Sequence, residues 1–215
     1  MHGRILAGMT AVALSISSIA CGDSIFINEF HYDDPGTRHS NDFVEVAVPT
    51  GTDLTGLMVA IYKGSGVLWY TTLVEFYFVG GTAGDFSLYW ANCQMEDGSG
   101  AVALIRDGSV LEFLSYEGIL TASDGPAMGA VSTDIGVAEA GSVLGTSVGR
   151  TGAGNSASDF TWALFANDTP GQLNTGQSFT SLDVAVAPLP LAGLAALGLV
   201  AGFAMTRKTG RNQIF

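Results

Sequence analysis

Between residues 25 and 181 the hydrophobic positions come in short runs, each closed by Gly, Asp, Asn or Pro. In "SIFINEF", which begins at Ser24, simple alternation puts Ile25, Ile27 and Glu29 on one face and Phe26, Asn28 and Phe30 on the other. "DFVEVAV" follows, with Phe43 and Val44 on opposite faces and a stop at Pro49-Thr50-Gly51. "LMVAIY", "TTLVEFYFV", "FSLYWA", "AVALIRDGSVLEFLSY" and "DFTWALF" continue the series, rich in the β-branched and aromatic residues that suit a pleated surface. Asp107-Gly108 separates two apolar runs and tolerates the positive φ of a tight turn, so a hairpin is predicted there.

Residues 121–155 differ, because Gly, Ser, Thr and Ala dominate and large apolar anchors are few. An extended surface excursion with weak strands near 131–137 and 147–150 is expected. No amphipathic helix pattern is found between residues 22 and 188. Many short strands, Gly-rich turns and almost no helix predict an all-β protein, a β-sandwich domain over residues 24–180.

The two ends follow other patterns. Residues 1–20 have Arg4, then an apolar stretch, then Ser18 and Ala20 at −3 and −1 before Cys21, the order of a secretory signal peptide cleaved between Ala20 and Cys21. A lipoprotein signal also ends before a cysteine but carries Leu where this chain has Ser18. Cys21 is therefore open to lipidation, to a bridge with Cys93, or to remaining a free thiol. Residues 184–206 carry no charge and are long enough to cross about 30 Å of hydrocarbon as a transmembrane helix. Arg207, Lys208 and Arg211 follow at once, a positive-inside stop that leaves residues 207–215 as a basic cytoplasmic tail.

Charge sharpens this picture. All 20 acidic residues lie from Asp23 to Asp183, and only Arg38, Lys63, Arg106 and Arg150 oppose them there, which leaves the middle at −16 against −12 for the chain. Phosphate backbones are repelled by such a surface, so nucleic acid is excluded as a direct partner. "NEFHYDDPGTRHSNDFVE" gathers Glu29, His31, Asp33, Asp34, His39, Asp42 and Glu45. Imidazole with carboxylates can ligate a transition metal, and carboxylates with carbonyls can hold Ca²⁺. No HExxH or EF-hand spacing is present, however, and Asp34-Pro35-Gly36 is turn chemistry by itself, so the favoured reading is a turn with solvated acids and no cofactor. No GxSxG elbow occurs, Cys93 has no basic neighbour in sequence, and Glu45 and Glu75 read as strand residues, so no catalytic constellation is expected. Trp69, Tyr70, Tyr77, Tyr89, Trp90 and Trp162 read as core or cross-strand pairs, with a carbohydrate groove as the alternative.

The stretch "IFINEFHYDDPGTRHSNDFVEVAVPTGTDLTGLMVAIYKGSG", together with "VLEFLSYEG", "TASDGPAMGAVSTDIGV" and "SDFTWALFANDTPGQLNTGQSF", resembles the bacterial lamin-tail domain family. The resemblance implies an immunoglobulin-like β-sandwich without catalytic machinery of its own, since relatives attached to extracellular nucleases carry that in a separate domain. Leu57 stands where relatives commonly have Trp, and Asp42 where Glu is usual. The closing "APLPLAGLAALGLVAGFAMTRK" resembles C-terminal sorting signals of the PEP-CTERM class, with Pro188, Leu189 and Pro190 matching a Val-Pro-Leu-Pro-Ala core. That likeness implies processing by a membrane protease-transpeptidase. The chain is thus expected to be exported and surface-anchored, with a structural, adhesive or matrix role. A module binding Ca²⁺ or glycans at the cell surface is the alternative.

Overall fold

A computed structural model describes residues 24–35, 41–139 and 144–182. The expected signal peptide with Ala20 and Cys21, the candidate His39, and the expected membrane segment and sorting motif with Pro188, Leu189, Pro190, Arg207, Lys208 and Arg211 lie outside the described residues. Among the described residues no helix is long and apolar enough to cross a membrane.

The described chain is all-β, in two sheets. In chain order the strands are β1 (Phe26–His31), β2 (Phe43–Pro49), β3 (Leu57–Lys63), β4 (Leu68–Leu73), β5 (Phe78–Ala83), β6 (Phe86–Asn92), β7 (Gly100–Arg106), β8 (Ser109–Tyr116), β9 (Thr133–Asp134), β10 (Ser147–Gly154), β11 (Phe160–Phe165) and β12 (Gln177–Phe179). Sheet A runs β11-β10-β1-β2-β6-β5, with β12 parallel to β10, and sheet B runs β4-β3-β7-β8-β9. The only described helical turns are the 3-10 segments Val74–Phe76 and Ala157–Asp159.

Between the sheets, Ile27, Phe30, Val44, Val46 and Val148 of sheet A meet Leu57, Val59, Ile61, Val102, Leu104 and Tyr116 of sheet B. This face-to-face packing is sandwich-like, as expected. The Asp107-Gly108 hairpin is also present: φ is +50° at Asp107 and +80° at Gly108, the pair of positive angles a type I′ turn requires.

Other expectations need correction. The alternation expected in "SIFINEF" fails, because a bulge between Ile27 and Glu29 shifts the register. Phe30 consequently joins Ile27 in the central core, while Asn28 and Glu29 both bond groups on the opposite face. "TTLVEFYFV" is not one strand: β4 ends at Leu73, the 3-10 turn Val74–Phe76 intervenes, and β5 belongs to the other sheet. The stretch expected to hold only a weak strand near 147–150 contains β10, eight residues long and paired with β1, β11 and β12. Among the described residues Cys93 is a free, buried thiol; Cys21, with which a bridge is one of three open possibilities, lies outside them.

Both outer faces of the sandwich are covered. On sheet B, Ala60, Ala101 and Ala103 make room for Leu120, Ala122 and Ala127 of the excursion, flanked by Tyr62 and Phe113. At one end of sheet A's outer face, Phe26, Phe86, Phe160 and Phe179 form an aromatic cluster, with Phe86 and Phe179 stacked at 4.5 Å between centroids. Beyond β12 the chain is held by Thr180 N donating to Gly154 O (2.8 Å) and Leu182 N to Asp85 Oδ2 (2.9 Å). Arg150 ties the sheets together: it pairs with Glu112 of β8, donates through Nε to Ile27 O (2.8 Å) and through an Nη to Ala157 O (2.7 Å), and lies over the Trp162 ring.

Candidate functional site

The chemically capable side chains gather on the outer face of sheet A, past the aromatic cluster. Glu29 and Glu45 are opposite one another across β1 and β2, and both are fully buried. They are covered by a strap, residues 166–176, whose backbone they hold. Glu29 accepts from Thr169 N (2.9 Å), Thr169 Oγ1 (2.9 Å) and Ser147 Oγ (2.5 Å), and Glu45 accepts from Asn28 Nδ2 (2.8 Å) and Gly171 N (2.5 Å). Gln177 Nε2 donates to Asn28 Oδ1 (2.6 Å), and Asn174 Nδ2 donates to Arg150 O (2.9 Å), which closes the network. Burial is the main force pushing the Glu45 carboxyl up to about 8; the charge of Glu29 adds to it and two hydrogen bonds oppose it. Burial raises Glu29 as well. The strap can lie this close because Gly171 passes over Gly80, where a Cβ would stand 2.3 Å from the Gly171 Cα.

Further along the same face, His31 is enclosed by two carboxylates. Nδ1 is 2.8 Å from Glu139 Oε1 and Nε2 is 3.2 Å from Asp34 Oδ1, with all three residues buried. Burial by itself would lower the imidazole's pKa. The bond and charge of Glu139, then those of Asp34, outweigh it and raise His31 to about 9. The ring is therefore an imidazolium at neutral pH, joining β1 to both flanking loops. Glu139 is fixed further by Tyr32, whose backbone N donates to Oε2 (2.7 Å) and whose hydroxyl accepts from Glu139 N (2.8 Å). Asp34 also accepts from Asn41 N and Asn41 Nδ2.

One ligand atom each from His31, Asp34 and Asp42 lies within 4.8 Å of the others. A histidine with two carboxylates is transition-metal donor chemistry, but Nε2 of His31 is bonded to Asp34 and Nδ1 to Glu139, so the ring would have to give up a proton and the Asp34 bond before it could ligate. Ca²⁺ calls for six to eight oxygen ligands, and this set is not of that kind.

Between these two networks opens a cleft of about 430 Å³. Phe43, Trp90, Leu144 and Pro170 form its apolar walls, and Asn41, Asn92 and Asp168 supply its polar groups. Trp90 is half-buried and braced by Phe43 edge-on (6.5 Å, 84°) and by Phe78 (5.2 Å), which is itself 64% exposed. Burial raises the Asp168 carboxyl, and no hydrogen bond contributes to its shift.

The structure thus brings together Glu29, His31, Asp34, Asp42 and Glu45, all buried, so the expectation of a turn with solvated acids is corrected. Glu45 is a hydrogen-bonded strand residue as expected, whereas Glu75 is exposed in a 3-10 turn and not in a strand. Tyr77 is buried in the central core, and Trp69, Tyr70, Tyr89 and Trp162 pack against it, leaving Trp90 to face the cleft. Burial pushes the Cys93 thiol up to about 12, which disfavours the thiolate form. Sequence reasoning did not single out Glu139, Thr169, Asn174 or Asp168. Two signals were present: an acid inside the small apolar stretch "GVAEA" and the dense turn chemistry of "NDTPGQLNTG". Comparison of the chain with protein-family models, with curated proteins and with solved structures finds no match in any of the three.

Proposed function

We propose that the chain is an exported, surface-anchored, non-catalytic protein with a structural or adhesive role in the cell surface or extracellular matrix. In this reading an immunoglobulin-like, lamin-tail-like sandwich stands between a cleaved signal peptide and a C-terminal membrane helix that also serves as a sorting signal. The observation that carries the non-catalytic part is the commitment of Glu29, Glu45 and His31. Each is buried, and each uses its polar atoms to fix a loop to sheet A, so none is presented to a substrate. The anchor rests on the uncharged run 184–206 and the basic residues after it. Export machinery and a sorting transpeptidase are the implied partners.

Cell fractionation tests the anchor. Truncation after Asp183 should release the protein in soluble form, and Arg207, Lys208 and Arg211 changed to Glu should disturb orientation or retention. Pro188 and Pro190 changed to Ala should leave the chain anchored but block its processing. N-terminal sequencing should find the mature protein starting at Cys21. A truncated chain that stays in the membrane without lipid on Cys21 would remove the anchor reading.

The second reading is a binding module for glycans or Ca²⁺. The cleft at Trp90 favours glycans, whereas the His31–Asp34–Asp42 donors do not favour Ca²⁺. Calorimetric titration with Ca²⁺ should give no saturable heat.

A further inference from the structure

We propose that the cleft over Trp90 is a binding subsite for a neutral pyranose unit of a polysaccharide. It goes beyond the surface reading by giving an adhesive role a ligand class and an address. Sugar rings present an apolar face of C–H groups and an equatorial rim of hydroxyls, so their sites join an aromatic wall to a few hydrogen-bonding side chains. The cleft has both. Its volume lies within the roughly 300–1,000 Å³ of small-molecule sites.

The aromatic wall is selective in origin. Tyr77 lies in the core, the other aromatics considered from the sequence pack against it, and Trp90 alone of that set lines the cleft. Its ring is held in place by Phe43 and Phe78, so its orientation is set before a ligand arrives. Phe78, largely exposed on the edge strand β5, extends the same surface beyond the cleft. A track of this kind suits a chain of sugars better than a single one.

The polar side is equally suited. Asp168 offers carboxylate oxygens, and Asn92 is exposed with an amide that can both donate and accept. Hydroxyl groups need that mixture. Among the described residues no lysine or arginine lines the cleft, and the segment from Asp23 to Asp183 is strongly acidic, so uronic acids, phosphates and sulfated sugars are disfavoured.

The test uses the full chain in a zwitterionic detergent without a sugar headgroup. It is titrated with cellohexaose, xylohexaose, maltohexaose and chitohexaose, followed by tryptophan fluorescence and calorimetry. Saturable binding to at least one of these is expected. Trp90→Ala should weaken it by roughly tenfold, as loss of an aromatic anchor does, while Trp90→Phe keeps most of the affinity. Asp168→Asn should weaken it about threefold with the melting temperature unchanged. If Trp90→Ala does not fold, Asp168→Asn and Trp90→Phe carry the test. Absence of saturable binding to all of the oligosaccharides overturns the proposal, as does binding indifferent to both Trp90 and Asp168. Cell fractionation is a separate measurement, so failure of the anchor and failure of the sugar site are told apart.

Discussion

The two outer faces of the sandwich pose one packing problem and solve it with opposite chemistry. On sheet B the cover is apolar: alanines on β3 and β7 leave space, and Leu120, Ala122 and Ala127 fill it. On sheet A the cover past the aromatic cluster is polar, with buried carboxylates gripping the backbone of the 166–176 strap. Apolar contact is non-directional and indifferent to pH. Carboxylate-to-amide bonds fix a loop in one geometry, but they place ionisable groups where their charge state sets stability. The cleft lies beside the polar cover, with Asp168 and Pro170 of the strap in its wall.

The comparison can be broken hardest at Arg150, which underlies the polar cover and links both sheets. Arg150→Ala removes the guanidinium that pairs with Glu112 and donates to Ile27 O, inside the packed sandwich. A loss of about 3–5 kcal/mol is expected in denaturant unfolding. A loss below about 1 kcal/mol would mean the ion pair is superficial.

The pH dependence sharpens the contrast next. Glu45, Glu29 and His31 all bind their protons more tightly in the folded chain than in the unfolded one. The folded state therefore loses stability as pH rises through the window from about 4.5 to 8 for Glu45 and from about 6.5 to 9 for His31. Asp34, shifted down, acts in the other direction only at acid pH. Melting temperature should fall from pH 6 to pH 9; a flat or rising profile would contradict the polar cover.

On the apolar side, Leu120→Ala should cost about 2 kcal/mol, and the cost should be the same at pH 6 and pH 9. Gly80→Ala brings a Cβ against the Gly171 Cα and should cost about 1–3 kcal/mol, with the strap losing hydrogen-exchange protection before the rest of sheet A. The smallest effect is expected away from both covers. Gly108→Val strains the β7–β8 turn at φ +80° by about 1 kcal/mol, read as a shift in denaturation midpoint.

Legibility in the sequence followed the locality of the cause. The hairpin at Asp107-Gly108 was readable because a two-residue turn is decided by those two residues. β10 was under-read because "SVGRTGAG" has little intrinsic strand preference; it is a strand because neighbours pair with it on both sides. The face of Glu29 was misassigned because one bulge reverses an alternation, and nothing in "FINEF" announces it. Buried acids looked solvated because their partners are far away in sequence: Thr169 is 140 residues from Glu29, and Glu139 is 108 from His31. Trp90 was visible as an aromatic, but which aromatics turn inward is settled only by the pairing of β6 between β2 and β5.

The short strand β12 determines how the domain meets mechanical load. Tension drawn along the C-terminal chain arrives first at Leu182 and Thr180, then at the stack of Phe179 on Phe86, then at the ladder to β10. Only after those yield does it reach Gln177, Asn174 and the strap beside the cleft. β12 thus works as a strain relief, in the sense of a clamp on a cable.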